Sequence, residues 1–388
     1  MHAPRSTNAA GAPPSGVRVL HVTPYFPPTW AYGGIPRVVV ALGRAQVRQG
    51  AAVRVWTTDA FDASARATVA PVRTLDGMEV HTSRLLSNRL AWAHQLFVPS
   101  SLPPLHDCDL VHLHGHRHLL NFLAFRAARA AGIPVVHTPN GTLPRHERKT
   151  AAKRVWDVLF DGDVPRLANA VVATSRAEVR DFLLAGVPSE RIRRIPNGLT
   201  LEEFAELPPR GSFRREMGWG DEPLVVYLGQ ITPRKGVDHL VSACERVPGV
   251  RLAIAGSARG MQLPSGSAHY LGTLQGADRL RLLVDADVLV YASAREVFGL
   301  VPLEGLLCGA PVIVGGDCGC GEMIAEARAG LLVSHGDVHG LAAAIRQVVA
   351  DRGAADEMVR RGRAWVVQHA DADQVSARYL ELYRELLS

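Results

Sequence analysis

The chain has 388 residues, 47% of them hydrophobic, more than one ordinary core holds, so two domains are expected. A formal charge of +6 without any run of like charges suits anionic small ligands and supplies no nucleic-acid-binding arm. Five cysteines without a disulfide framework or zinc spacing, and no uncharged apolar run of membrane-span length, leave a globular protein of a reducing cytoplasm.

Residues 1–16 are polar and rich in Pro, Ala and Gly, lack a signal-peptide core, and read as a disordered lead-in. Strands are then expected at 17–23, 51–58, 78–84, 109–115, 134–141 and 170–175. Helices alternate with them, the first over 36–50 with Pro36 at its start and Gly50 as its stop. Others follow at 119–132 and after residue 175. The stretch 191–213 is rich in turn formers and breaks the rhythm. The rhythm restarts with strands at 223–229, 251–256, 268–274, 287–293 and 311–316, and helices between them. The tail is helical, with breaks near Gly353 and Asp371. This pattern is α/β: two doubly wound parallel sheets, with strand ends facing a shared cleft. The expected domains are 17–200 and 201–370, with 371–388 a C-terminal helix packing back on the first domain.

The stretch EVFGLVPLEG, 296–305, follows an expected strand and opens a helix at Pro302. Amides around Phe298, Gly299 and Leu300 at a helix N-terminus make an anion site, and Gly299 allows close backbone approach. Two glutamates beside an anion make sense if they bind hydroxyls. Glu296 then accepts from a sugar and Glu304 from a ribose diol, so the ligand is part diphosphate and part polyol. Lys235, before the glycine that opens a helix, is the main candidate cation for the diphosphate, with Arg234 beside it. Gly33 and Gly34 form a strand-to-helix loop whose amides reach a donor phosphate or the acceptor. His112 and His114 share a strand face, and His114 is nearer the carboxyl end. His116 and His118 follow, without a Cys or carboxylate to complete a metal set. Four Asp-x-Asp matches, at 107–109, 161–163, 285–287 and 371–373, read as loop and cap residues. Cys318 and Cys320 read as small residues of a tight turn. The basic segment 144–160, with Trp156 and Phe160, reads as a helix with an apolar side on the core or against acidic lipid.

The stretch from Glu296 to Glu304 resembles the Glu-x7-Glu motif of retaining glycosyltransferases with the GT-B fold, in glycosyltransferase family 4. YLGQITPRKG (227–236), IPNGLTLEEF (195–204), DLVHLHGH (109–116), the Gly33–Gly34 loop and GAPVIV also resemble family segments. The resemblance covers nearly the whole chain from residue 17. It implies the GT-B fold, an acceptor-binding first domain and a second domain that binds a nucleoside diphosphate sugar. It implies transfer to an acceptor hydroxyl of a lipid-linked sugar, polysaccharide or metabolite, without metal or other cofactor. By resemblance the catalytic residues are Lys235, Glu296 and His114. The donor site is Gly33, Gly34, Arg234, Lys235, Phe298, Gly299, Leu300 and Glu304. Where the family usually carries arginine after the glycine of its phosphate segment, this chain has Gln230. The alternatives are a non-catalytic sugar-nucleotide-binding protein and a GT-B-like epimerase or phosphorylase. The expected location is cytoplasmic, with peripheral contact at the inner face of a membrane.

Overall fold

The structure, a computed structural model, describes residues 16–30, 33–62, 65–94, 96–144, 150–258, 263 and 266–388. The expected lead-in lies almost wholly outside them. Eight strands form the first sheet: β1 Arg18–Val22, β2 Ala52–Thr58, β3 Val72–Leu75, β4 Met78–Ser83, β5 Leu110–His114, β6 Val135–Thr138, β7 Ala170–Ala173 and β8 Ile192–Arg194. Their order is β3-β4-β2-β1-β5-β6-β7-β8, parallel except for the β3–β4 hairpin. Six strands form the second: β9 Leu224–Leu228, β10 Arg251–Ala255, β11 His269–Tyr270, β12 Val288–Tyr291, β13 Val312–Gly315 and β14 Gly330–Val333. Their order is β11-β10-β9-β12-β13-β14, all parallel. Central strands such as LVVYL and AVVA are buried throughout because helices cover both faces of each sheet.

Each sheet reverses its strand order once, between β1 and β5 in the first and between β9 and β12 in the second. Crossover helices leave opposite faces at such a point and open a crevice at the strands' carboxyl ends. The Gly33–Gly34 loop and His114 follow β1 and end β5; Lys235 and Glu296 follow β9 and β12.

The chain crosses between the domains at two places that touch. Leu199 N–H donates to Ala370 O at 2.8 Å, and Ala372 N–H to Leu199 O at 3.0 Å. The last helix, Ala372–Leu387, lies on the first domain: its Val375, Tyr379, Leu380 and Tyr383 share a core with Val19, Val39, Leu42 and Val53.

Several local readings are corrected. β3 and β4 form a hairpin through Asp76 and Gly77, both at positive φ (51° and 79°), and β3 was not expected. The Asp-Gly pair between alternating residues was its signal. Helix Asn88–His94 and strands β8 and β14 were likewise unassigned. The helix carrying Glu304 starts at Leu300, not Pro302, so Glu304 lies beyond its first turn. Cys318 caps and Cys320 lies within the helix Gly319–Ala327, not a tight turn. Gly353 is inside the helix Arg352–His369; the break falls at Asp351, whose carboxylate caps Ala354 N. Of segment 144–160, residues 145–149 are outside the described ones; the rest is a helix Thr150–Trp156 running into a π-helical turn, Asp157–Asp161.

Candidate active site

At the carboxyl ends of β9 and β12, the Lys235 ammonium donates to the Glu296 carboxylate and, at 2.5 Å, to the Tyr291 hydroxyl. Tyr291 also donates to Glu296 at 3.2 Å, and its ring lies 4.5 Å from the ammonium. Lys235 is only 8% exposed. Burial by itself pushes the Glu296 carboxyl up, but Lys235, Arg234 and the Tyr291 hydroxyl outweigh it, leaving Glu296 below its ordinary value. Glu296 is therefore a carboxylate at neutral pH. Arg234 is exposed on the turn Pro233–Lys235, close enough for its charge to reach Glu296.

The helix Leu300–Cys308 begins beside this pair: a Cβ on its capping residue, Gly299, would stand 3.3 Å from Glu296 Cγ. Gly299 caps it at φ 73°, and an added Cβ there would stand 2.8 Å from the Cys320 sulfur, so only glycine fits. Phe298 is buried at 2% exposure and anchors the loop. From the other domain, the Gly33–Gly34 loop closes over the same place. A Cβ on Gly33 would lie 3.8 Å from the Gln230 side-chain nitrogen, and one on Gly34 3.7 Å from Leu300. The Tyr227 hydroxyl donates to Gln230 O at 2.7 Å and fixes this turn.

Glu304 is fully buried, and its two carboxylate oxygens pair with Arg37 across the domain junction at 2.5 Å and with Arg279 of its own domain at 2.6 Å. Glu203 joins the cluster, 3.1 Å from Arg279 and 3.6 Å from Arg37. A cavity of about 20 Å³ lies beside it, lined by Arg37, Gly198, Thr200, Leu300 and Glu304 among others. The domains also meet where Glu322 accepts from Arg176 N (2.9 Å), Ala177 N (3.3 Å) and the Arg180 guanidinium (3.0 Å). A carboxylate of one domain thus caps a helix of the other.

In the first domain, His114 is 1% exposed and lies against His112, ring centroids 4.1 Å apart and tilted by 36°, on the shared strand face that alternation requires. A third histidine, His21 of β1, joins them, its Nδ1 2.8 Å from His114 Nε2. Burial holds His21 down to about 4, and holds His112 and His114 well below the ordinary imidazole value; neighbouring histidines add to the effect on the latter two.

The family description "Glycosyltransferase Family 4" matches residues 32–203, and "Glycosyl transferases group 1" matches residues 210–365. The chain belongs to glycosyltransferase family 4. This family-4 glycosyltransferase takes a sugar from a nucleoside diphosphate sugar to an acceptor hydroxyl. It is 28% identical to a D-inositol 3-phosphate glycosyltransferase of Xylanimonas cellulosilytica, over 94% of this chain and 95% of the relative. It is 26% identical to a GDP-mannose-dependent alpha-(1-6)-phosphatidylinositol monomannoside mannosyltransferase of Mycobacterium tuberculosis, over 95% and 98%. Among solved structures it superposes on sucrose-phosphate synthase from Thermosynechococcus elongatus with a TM-score of 0.75, at 21% identity over 95% of this chain and 99% of that one. Anabaena HepE in complex with UDP-glucose gives 0.75 at 20% identity, over 95% and 99%. These likenesses establish the GT-B fold.

In the glycosyltransferase, Lys235, Glu296, Arg234, Phe298–Leu300 and the Gly33–Gly34 loop converge on one place. Glu304 lies on the hinge side, occupied by arginines rather than open to a ligand. His114 belongs to a buried network of the first domain. Sequence reasoning missed Tyr291, Arg37, Arg279 and His21. Tyr291 ends the strand before Glu296, and Arg37 follows the glycine loop by three residues, so position offered a signal for both. Nothing in the spacing marked Arg279. Of the Asp-x-Asp pairs, Asp285 and Asp287 tie down Gly211, Arg210 and Arg214, and Asp371 caps the last helix.

Proposed function

We propose that this enzyme retains the configuration of the transferred sugar, binds its donor in the second domain and its acceptor in the first, and needs no metal. The observation that carries the reading is the buried Lys235–Glu296 pair beneath the helix N-terminus at Gly299. A donor diphosphate entering here meets Lys235, the amides of 298–300 and the field of Arg234. As the sugar–phosphate bond breaks, negative charge develops on the leaving oxygen, where fixed cations and amides need no reorganisation. Glu296, released from part of its hold on Lys235, accepts from sugar hydroxyls, and Glu304, exchanging Arg37, accepts from the ribose. The acceptor hydroxyl attacks from the face the diphosphate leaves, and the departing phosphate oxygen takes its proton. Arg234 supplies the charge that Gln230 lacks. His114 orients the acceptor hydroxyl. Closure of the two domains excludes water.

The donor we favour is a purine or pyrimidine nucleoside diphosphate hexose, and the acceptor a carbohydrate or lipid-linked sugar. Relatives named for GDP-mannose and phosphatidylinositol mannoside, and a neighbour bound to UDP-glucose, support that class. No described helix is long and apolar enough to cross a membrane. Val155, Val158 and Leu159 are exposed (58%, 84% and 63%) on the helical segment 150–161 of the first domain, beside Lys153 and Arg154, which supports peripheral contact with an acidic lipid surface.

The test is transfer from a panel of nucleoside diphosphate hexoses to carbohydrate and glycolipid acceptors in the presence of EDTA, with the product anomer read by NMR. Retention with EDTA-insensitive turnover is expected. Inversion, or turnover abolished by EDTA and restored by a divalent ion, contradicts the reading.

A further inference from the structure

The histidines of the first domain form an ordered chain of hydrogen bonds whose direction can be worked out. His112 Nε2 lies 2.7 Å from Thr138 Oγ1, and His112 Nδ1 2.6 Å from the Tyr383 hydroxyl. Gln46 Nε2 donates to that hydroxyl at 3.3 Å. Gln46 Oε1 is 2.7 Å from His21 Nε2, and His21 Nδ1 is 2.8 Å from His114 Nε2. All of these side chains are buried.

Each neutral imidazole carries one N–H, and its place is set by the partner of the other nitrogen. The Gln46 amide gives its N–H to Tyr383, so its oxygen faces His21 and can only accept. His21 therefore carries its proton on Nε2 and presents a bare Nδ1. His114 must donate to that Nδ1 from its own Nε2, which leaves His114 Nδ1 bare. That atom is buried and has no partner among the described residues. The chain thus runs one way, from His114 through His21, Gln46 and Tyr383 to His112 and Thr138. Run in reverse, it needs the Gln46 amide turned over and ends on a buried His114 N–H without an acceptor, the costlier kind of orphan.

We propose that Gln46, acting through His21, sets the tautomer of His114 and makes its Nδ1 a hydrogen-bond acceptor. Gln46 and His21 are positioning residues; the consequence for catalysis rests on the reading of His114 as the acceptor-side histidine. With Nδ1 bare, His114, buried in the structure as it stands, takes the acceptor hydroxyl's proton in a hydrogen bond once the entering acceptor uncovers it, and turns an oxygen lone pair toward the sugar. With the opposite tautomer it donates to that oxygen and ties the lone pair up. The groups facing the cluster are His137 on β6, Tyr379 and Tyr383 on the last helix and Gln46 on the first. The two tyrosines are pushed above the ordinary phenol value by burial, and His137 is held down to about 4 by burial, so none of them brings a charge to the cluster at neutral pH.

The experiment is long-range 15N–1H NMR on the full chain with 15N-histidine, on wild type and Gln46→Glu. In wild type, His114 is expected to show a protonated Nε2 and a bare Nδ1. In Gln46→Glu the buried carboxylate charges His21, whose Nδ1–H then donates to His114 Nε2 and moves the His114 proton to Nδ1. A fall in kcat of about tenfold or more accompanies that flip, with the donor KM unchanged. A wild-type His114 protonated on Nδ1 overturns the proposal, and this spectrum decides it even if the variant does not fold. A tautomer that stays put in folded Gln46→Glu also overturns it. If the tautomer flips and kcat holds, the relay stands and the acceptor-side role of His114 falls.

Discussion

The two switch points of this glycosyltransferase are built from opposite materials. In the second domain, charges hold one another: Lys235 with Glu296, and buried Glu304 with Arg279 and, reaching over from the first domain, Arg37. In the first, buried groups at the corresponding place are neutral imidazoles, hydroxyls and an amide. Fixed cations suit a site where phosphate charge must be met without reorganisation. Neutral hydrogen-bonding groups suit a site that has to orient a hydroxyl. The difference teaches that each half carries the polarity of what it is proposed to hold.

The comparison breaks most sharply at Lys235. Replacing it, Lys235→Ala, is expected to lower kcat by about a hundredfold to a thousandfold, the range for losing one stabiliser of developing charge. The fold should survive, because Glu296 can take up a proton once its cation is gone. Steady-state kinetics beside circular dichroism checks both. The double variant Lys235→Ala/Glu296→Gln should lose far less than the product of the single losses, since the two act as a unit.

His114→Asn tests the neutral side. It removes an orienting group rather than a charge, so a smaller fall in kcat, about tenfold to a hundredfold, is expected, with donor affinity intact. A loss as large as that of Lys235→Ala would erase the contrast between the halves.

Arg37→Ala sharpens it further. Freed of Arg37, Glu304 is more available to a ribose diol, and nucleotide binding by calorimetry should tighten about threefold to tenfold, on the order of 1 kcal/mol for one partly exposed ion pair. Weaker binding would mean that Arg37 itself holds the nucleotide.

The smallest effect is on stability against pH. His21 and His137 are held down to about 4 by burial, and His112 and His114 are held well below the ordinary imidazole value by burial and neighbouring histidines. With folded values below unfolded ones, the unfolded chain binds more protons in acid. Stability is therefore complete above the ordinary imidazole value of about 6.5 and falls as pH drops toward about 4. Glu178 acts the other way: burial pushes its carboxyl up, so protonation favours the folded form. Melting temperatures between pH 8 and pH 4 should fall overall, the four histidines outweighing one glutamate.

Much of this architecture was legible because buried parallel strands read as apolar runs, and Gly or Pro punctuates the helices between them. β3 and β14 escaped because both are edge strands whose residues are mostly exposed or half-buried, so neither reads as an apolar run. The pairing of Lys235 with Glu296, 61 residues apart in the chain, was not legible, since it depends on β9 and β12 lying side by side. The burial of Glu304 was hidden for the same reason: Arg37 reaches it from the other domain, and Arg279 from a helix with no motif. His21 could be read as a strand residue, but its partner is fixed only by the β1–β5 register, which pairs His21 with His112.

The central claim is that the Lys235 side of the cleft receives a nucleoside diphosphate. The direct measurement is a thermal-shift panel of UDP, GDP, ADP and dTDP on wild type and Lys235→Ala at neutral pH. A ligand at a hundred times its dissociation constant adds about 2.7 kcal/mol, an easily seen rise in Tm. The account predicts that one of the four raises the wild-type Tm and that Lys235→Ala loses the rise. Equal stabilisation of both proteins, or of neither by any nucleotide, would contradict it.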